Sequence, residues 1–237
     1  MKMISQNFLL MMASIFVATL LFSSSSAHAI SLQDNVPGTK TCSGKLSPKS
    51  NWSGCNLKHA NLSYKNLTGI NLSGADLSGA RLYDTNLSGA NLTGAKLSWV
   101  SFNYVNLSGA DLRGVNLQHV DFYHANLSGA KLQNANLQHS RFPSVNFQAA
   151  NLSGADLSYV SAQTANFQNA NLQNVKLLNA ELLGSDFSQA NLSGADLTNA
   201  DNTGGFMTDA DLTNANVSGL DTAGVELSCH GNFICNE

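Results

Sequence analysis

A five-residue repeat runs from Cys55 to Cys229 without an insertion or deletion. With Leu57 as the first centre, further centres follow at every fifth residue as far as Leu227, which makes 35 consecutive pentapeptides. Leu, Phe, Met or Val fills the centre of all but three units. The three exceptions are Ala162, Asn202 and Thr222. So strict a period predicts identical units that stack on one another in one elongated domain.

Within each unit, the central residue i and the residue at i−2 are apolar, and the residue between them is polar. This alternation is typical of a short strand that buries two side chains and exposes one. The other two residues are often Ser-Gly, Thr-Gly or Gln-Asn and predict a turn, since glycine permits unusual backbone angles. A helix is excluded because a period of five forms no apolar stripe on a helical surface.

Several units read Ala-Asn/Asp-Leu-Ser/Thr-Gly, among them residues 75–79, 90–94 and 190–194, and they resemble the pentapeptide-repeat family. The resemblance covers Cys55 to Cys229. It implies an all-β fold, a right-handed quadrilateral β-helix (a β-solenoid) with four pentapeptides per coil. The repeat would then form about nine coils, in a rod roughly 40 Å long at a spacing of about 4.8 Å per coil.

The central phenylalanines support four units per coil independently of the resemblance, because substitutions on one face should then recur every 20 residues. One column would hold Phe102, Phe122 and Phe142, and the adjacent column would hold Phe147, Phe167 and Phe187. We interpret both columns as core packing.

The first 29 residues predict a signal peptide rather than part of the fold. Lys2 precedes an apolar stretch from Phe8 to Phe22, and Ala27-His28-Ala29 is a small-x-small cleavage site. The stretch is short for a membrane span, which needs about 20 apolar residues. We expect export to the periplasm, a thylakoid lumen or the medium. The predicted segments are the signal peptide 1–29, an N-terminal cap 30–54, the β-helix 55–229 and a C-terminal cap 230–237.

Four cysteines flank the repeat: Cys42 and Cys55 at its start, and Cys229 and Cys235 at its end. Three pairings are possible, but a disulfide needs Cα atoms within about 7 Å, and the ends of a long solenoid are farther apart. We therefore predict Cys42–Cys55 and Cys229–Cys235, each securing a terminal coil that has only one neighbour. A metal site is the alternative, which an exported location disfavours.

One face of the predicted coil differs from the other three and is called the aromatic face here; its centres include Leu62, Leu82 and Phe102. Its outward i−1 residues are Asn61, Arg81, Ser101, Asp121, Arg141, Ser161 and Glu181, whereas the other faces carry mainly Asn and Asp. The candidate binding residues on or beside this face are Tyr64, Arg81, Tyr83, Trp99, Tyr104, His119, Tyr123, His124, His139 and Tyr159. The turn positions of the face itself hold the tyrosines from Tyr64 to Tyr123 and His124, and the corner just before the face holds His59, Trp99, His119, His139 and Tyr159. Trp99 is the only tryptophan predicted within the repeat.

Two interpretations of the aromatic face stay open. Tyrosine and tryptophan dominate the energetics of protein interfaces, which favours a binding surface. Stacked aromatic columns also stabilise their own neighbours by about 0.2–1 kcal/mol per pair, which favours a structural role. His119 and His139 could share a metal with His124. No carboxylate or thiolate completes an obvious ligand set, although Asp121 is near in sequence, and no metal site is predicted.

The sequence contains no nucleophile–base set, phosphate-binding loop or acid pair that stands out from the repeat. We therefore predict no catalytic residue, no cofactor and no enzyme activity. The predicted function is a non-enzymatic exported scaffold that contacts a protein partner through the aromatic face. A glycan- or envelope-binding module using the same aromatics is an alternative.

A third function comes from the resemblance, because quinolone-resistance pentapeptide proteins mimic DNA and bind a type II topoisomerase. The export signal disfavours that role here, and so does a net charge of only −3, or −4 without Lys2. The acidic residues also do not line one face. We expect no nucleic-acid partner and no membrane span after signal cleavage; the oligomeric state is left open.

Overall fold

The protein is a β-helix in which successive coils stack in parallel. This computed structural model describes residues 42, 44–225 and 227–235. Parallel bridges join residues 20 positions apart, from Asn51 with Asn71 to Asp201 with Asp221. Each coil is therefore built from four pentapeptides, as predicted, and each unit contributes a one-residue strand. Among the described residues, the one helix is a 3-10 turn at Phe233–Cys235. The total number of coils stays a prediction.

Backbone hydrogen bonds join each coil to the next at fixed offsets. The N–H of central Leu57 donates to the carbonyl of Asp76 at 2.7 Å, and the N–H of Asp76 donates back to the carbonyl of Cys55 at 2.9 Å. The same two bonds recur along the rod. The short strands are thus satisfied by neighbouring coils, which is why the stack depends on an unbroken period.

Every unit ends in a tight turn. In most units the N–H of residue i+3 donates to the central carbonyl, as from Ala75 to Leu72 at 3.0 Å. The residue at i+2 has a positive φ, for example +66° at Gly74, as in a type II turn. This conformation explains the frequent glycine at i+2, since it costs other residues more.

The Asn or Asp at i−1 stabilises the turn of its own unit. Its side-chain Oδ1 accepts a hydrogen bond from the N–H of i+1, as in Asn51 with Ser53 and Asp76 with Ser78, both at 3.1 Å. Such local side-chain to backbone bonds are the usual reason for Asn and Asp in turns. The exposed i−1 position therefore has a structural preference of its own.

The core runs along the axis of the rod and is filled by the central and i−2 side chains. The predicted phenylalanine columns are fully buried, and their rings lie close together, with 5.0 Å between the centroids of Phe102 and Phe122. Phe142 and Phe147 join the two columns at 5.4 Å. The aromatic centres are therefore packing residues.

The regular repeat begins earlier than the sequence predicted. Asn51 already bridges to Asn71, and Trp52 fills the central position of this additional unit with only 5% of its surface exposed. The prediction that Trp99 is the repeat's only tryptophan is therefore wrong. The physical reason is that an indole is apolar enough to fill the central position of this unit, as Leu does in the next.

At the other end, the five-residue frame holds up to Ser228, whose carbonyl accepts from the N–H of Asp209 at the usual offset of 19. The next pairing is one residue shorter, because the N–H of Leu212 donates to the carbonyl of His230. The frame therefore slips at Cys229. Several inward side chains of the last coil are half-buried rather than buried, namely Ala215, Leu220, Thr222, Val225 and Leu227.

Both predicted disulfides are present, with Cα–Cα distances of 5.7 Å for Cys42–Cys55 and 4.9 Å for Cys229–Cys235. Their role in securing the ends stays a prediction. The predicted signal peptide and its cleavage site lie outside the described residues. Among the residues described, no helix has the length and apolar character that crossing a membrane requires.

Candidate functional site

The tyrosines of the aromatic face form a continuous series along the rod. Ring centroids are 5.6 Å apart from Tyr64 to Tyr83, 5.3 Å from Tyr83 to Tyr104 and 5.5 Å from Tyr104 to Tyr123. Tyr123 in turn contacts His124 at 4.1 Å. The rings are tilted or edge-on, and each leaves 40% or more of its residue surface exposed. The series therefore stacks on itself and still presents its edges to solvent.

A second series follows the corner that precedes the aromatic face. His119 and His139 stack at 5.1 Å with nearly parallel rings, and His139 stacks on Tyr159 at 5.0 Å. Trp99 stands at the same corner but makes no ring contact with another described residue and is 92% exposed. Self-stacking therefore accounts for three members of this corner and leaves Trp99 unexplained.

Bulky rings at both corners occupy the turn position that favours glycine. The φ angle is +61° at Tyr64, Trp99, Tyr104 and Tyr159, and between +53° and +59° at the histidines. The histidines concerned are His59, His119, His124 and His139. A side chain in this left-handed region costs about 1–2 kcal/mol, and bulky residues are rare there. These rings therefore sit where the turn itself disfavours them.

Between the two series lies the floor of the aromatic face, formed by the outward i−1 residues. Every described Asn or Asp at i−1 stabilises its turn through Oδ1, with one exception. The exception is Asp121, because the N–H of Tyr123 donates instead to Oδ1 of Asn103 at 2.9 Å. The other floor residues from Arg81 to Glu181 are not Asn or Asp. Six consecutive coils therefore lack this bond on one face.

On the other faces, i−1 residues other than Asn or Asp occur singly, and most of them interact with an aspartate in the preceding coil. Lys96 and Lys176 each reach the aspartate one coil below, Lys96 to Asp76 at 3.9 Å and Lys176 to Asp156 at 3.4 Å. A hydrogen bond from Arg113 lowers the pKa of Asp111, and the charge of Lys131 lowers it further. The remaining described departure is Phe206, which is 44% exposed. Over the part of the chain that the structure describes, the aromatic face alone lacks the turn bond in a contiguous run of coils.

The charges of the floor are not used internally. Within the described residues, Arg81, Arg141 and Glu181 take part in no ion pair within 4 Å, whereas Lys96 and Lys176 do. The phenol of Tyr104 has a raised pKa because it is partly desolvated and lies between Tyr123 and Tyr83. The face thus presents phenol rings and unpaired guanidinium groups to solvent.

A shallow cleft of about 360 Å³ opens on this face between Trp99 and Tyr83. Its floor includes Arg81, and Gly79 and the hydroxyl-bearing Ser101 line its sides. The described residues contain no group of three or more His, Cys, Asp or Glu that could hold a metal ion. The chemistry available here is recognition through aromatic surface, hydroxyl groups and positive charge.

The ten candidate residues lie on or beside one face, the tyrosine series with His124 at one corner and Trp99 with the His119, His139 and Tyr159 series at the other. Sequence reasoning missed the cleft and the loss of the turn bond. The second signal was visible as the interruption of Asn and Asp at i−1 from Arg81 to Glu181. Its meaning needed the structure, since the side-chain bond that those residues normally make had not been recognised.

Comparison with known proteins identifies the repeat. The family profile for pentapeptide repeats matches residues 50–89, 90–129, 121–158 and 165–201, more than half of the chain. The chain therefore belongs to the pentapeptide-repeat family, whose right-handed β-helix agrees with the coils described above. Members of this family are typically non-enzymatic structural or protein-binding scaffolds. No curated protein matches significantly.

Solved structures of pentapeptide repeat proteins are also similar. One is HetL, a protein involved in heterocyst differentiation regulation in the cyanobacterium Nostoc sp. strain PCC 7120. The two sequences are 28% identical over 78% of this chain and 90% of HetL, and the TM-score is 0.36. A protein from the Arabidopsis thaliana thylakoid lumen is 34% identical over 40% of this chain and 63% of its own, with a TM-score of 0.32. QnrB1, a plasmid-mediated fluoroquinolone resistance protein, is 22% identical over 70% of this chain and 89% of its own, with a TM-score of 0.36. Family membership rests on the repeat profile.

Proposed function

We propose that this protein is an exported, non-enzymatic scaffold that contacts a protein partner through the aromatic face. The observation that carries the proposal is the contiguous run from Arg81 to Glu181 in which the turn-stabilising bond is absent. Each such bond contributes about 0.5–1.5 kcal/mol. A contiguous run of positions that lacks the residues favoured by folding is typical of a functional site, because binding then determines which residues are kept there.

The energies also argue against a purely structural role for the rings. Each bulky residue in the left-handed turn position costs about 1–2 kcal/mol. Each stacked pair returns about 0.2–1 kcal/mol, which does not offset that cost in full. Trp99 gains no stacking energy, since it contacts no other described ring. A partner that covers these side chains would supply the missing stabilisation, and tryptophan, tyrosine and arginine are the side chains most often central to protein interfaces.

The charge of the floor disfavours mimicry of DNA. A DNA mimic would line one face with acids, but the middle of this floor carries Arg81 and Arg141 as well as Asp121 and Glu181. Export to a periplasm, thylakoid lumen or the medium belongs to the proposal and is supported by the N-terminal sequence. A supercoiling assay in which the protein inhibits a topoisomerase would reverse this preference.

The test is site-specific cross-linking in the compartment that receives the protein. A photoreactive phenylalanine derivative replaces Tyr123 in one variant and Gln173 in a matched control. Both positions are exposed and take the same place in the turn, but Gln173 lies two units further round the coil. We expect one dominant cross-linked protein from position 123 and none from position 173. Equal cross-linking at both positions, or none at either, would contradict the proposal.

A further inference from the structure

We propose that the cleft between Trp99 and Tyr83 receives a carboxylate side chain of the partner, an aspartate or glutamate in a peptide segment, with Arg81 as its anchor. This inference rests on the proposed function and names the chemistry of the group recognised. It assigns distinct roles to three neighbouring residues: Arg81 holds the charge, and Trp99 and Tyr83 enclose the residues beside it.

The shape of the cleft depends on an interruption in the corner series. His119, His139 and Tyr159 continue that series in the coils above Trp99, but the coil below it has Gly79, which carries no side chain. The imidazole of His59 reaches over Gly79, where an added Cβ would come within 2.5 Å of Nδ1. The indole makes no ring contact with a described residue and stands 92% exposed at the edge of the cleft. A volume of about 360 Å³ exceeds what one carboxylate needs, so an adjacent apolar group of the same segment can lie against the indole.

The charge at the base of the cleft is unpaired. Arg81 makes no ion pair and no side-chain hydrogen bond with any residue that the structure describes. Its neighbours along the floor are the neutral Asn61 and Ser101, each joined to it by a backbone bridge. The first acid on the floor, Asp121, is two coils away, or about 9.6 Å. A guanidinium group free on a partly enclosed surface matches the two oxygens of a carboxylate.

A peptide segment fits these features better than a nucleic acid or an acidic glycan. Binding a polyanion requires several cations along its path, whereas the floor alternates Arg81 and Arg141 with Asp121 and Glu181. One isolated cation between two aromatic side chains instead suits one acidic residue within an otherwise apolar or neutral segment. An acidic glycan remains an outcome that the experiment detects.

The test uses a phage-displayed library of random twelve-residue peptides, selected on the oxidised full-length exported protein. We expect the enriched peptides to carry Asp or Glu beside an apolar residue. Their affinity should fall about tenfold in Arg81→Gln and less than twofold in Arg141→Gln, which removes the same charge three coils along the same floor. Changing the peptide's acid to its amide should give the same loss, with no further loss when both changes are combined.

Three results would overturn the inference: no enrichment of any peptide, enriched peptides without an acid, or equal effects of the two arginine substitutions. Binding of a uronic-acid polysaccharide that is lost in Trp99→Ala, without peptide binding, would assign the cleft to a glycan. The cross-link from position 123 separates this inference from the proposed function. If Arg81→Gln leaves that cross-link intact, the inference fails and the scaffold function stands; if the otherwise unchanged protein gives no cross-link, the function itself fails.

Discussion

The most informative perturbation of the core is Asn202→Leu. Asn202 occupies a central inward position and has no exposed surface, yet its Oδ1 and Nδ2 are buried without a hydrogen-bond partner among the described residues. Its backbone N–H is satisfied by the carbonyl of Asp221 at 2.9 Å. The side chain leans over Gly205, where a Cβ would come within 2.3 Å of Oδ1. Only the side-chain amide is therefore left unpaired.

Leucine has the same branched outline as asparagine, so the substitution removes both polar atoms with little change of shape. Each buried unpaired polar atom costs about 1–3 kcal/mol. With two such atoms, we expect Asn202→Leu to raise the free energy of unfolding by about 2–6 kcal/mol. For a chain of this size, each kcal/mol corresponds to about 2–4 °C in Tm. Other inward polar residues should not respond in this way, because Ser140 and Ser185 each donate to a carbonyl one coil below, at 2.6 Å.

The assay combines denaturant unfolding with amide hydrogen exchange, since the stability of a solenoid is a sum of local terms. Protection should rise at Asn202 and Gly205. The matched control is Leu192→Asn, in the same coil but between Leu172 and Leu212, which should lose stability by a similar amount. An unchanged or lowered stability in Asn202→Leu would refute the reasoning and show that the amide finds a partner in solution.

Three further predictions concern titration and exposure. A hydrogen bond from Arg113 lowers the pKa of Asp111 in the folded protein below its usual 3.8. The ionised carboxylate therefore stabilises the fold above pH 3.8, and this stabilisation is lost as the pH falls through the lowered pKa. Thermal melts in acid should show the loss, and the Tm of Asp111→Asn should depend less on pH. Desolvation and neighbouring phenols raise the pKa of Tyr104, so ultraviolet titration should show a late-ionising phenol that Tyr104→Phe removes. Acrylamide should quench Trp99 readily and Trp52 poorly, and Trp99→Phe should leave only protected emission. A single uniform quenching constant, an unchanged titration curve or a pH-independent melt would contradict the respective statement.

The fold could be predicted from the sequence because one rule is repeated in every unit. A central apolar residue every five positions, with aromatic centres every 20, specifies both the turn of each unit and the number of units per coil. The two disulfides followed from the ends of a long solenoid. Trp52 was missed because it is the first centre and differs in type from the later ones. The slip at Cys229 was missed because one shortened unit leaves the preceding frame intact.

The candidate site could be predicted only in part. Which residues share a face follows from the period, so Tyr64, Tyr83 and Tyr104 were grouped correctly. The placing of His119 and His139 at the preceding corner follows from the same period. The cleft beside Trp99 depends on how the coils that carry Gly79, Arg81 and Ser101 pack together, and the cost of the floor depends on a hydrogen bond that composition does not reveal. These features depend on three-dimensional contacts between coils.

The central claim is that the floor of the aromatic face gives up stability for binding. The most direct test restores the turn bond in one variant that carries asparagine at five floor positions. The substitutions are Arg81→Asn, Ser101→Asn, Arg141→Asn, Ser161→Asn and Glu181→Asn. We predict a higher free energy of unfolding, by about 0.5–1.5 kcal/mol per restored bond, together with loss of the partner cross-linked from position 123. A variant that is no more stable, or that is more stable and still captures the partner, would contradict the account.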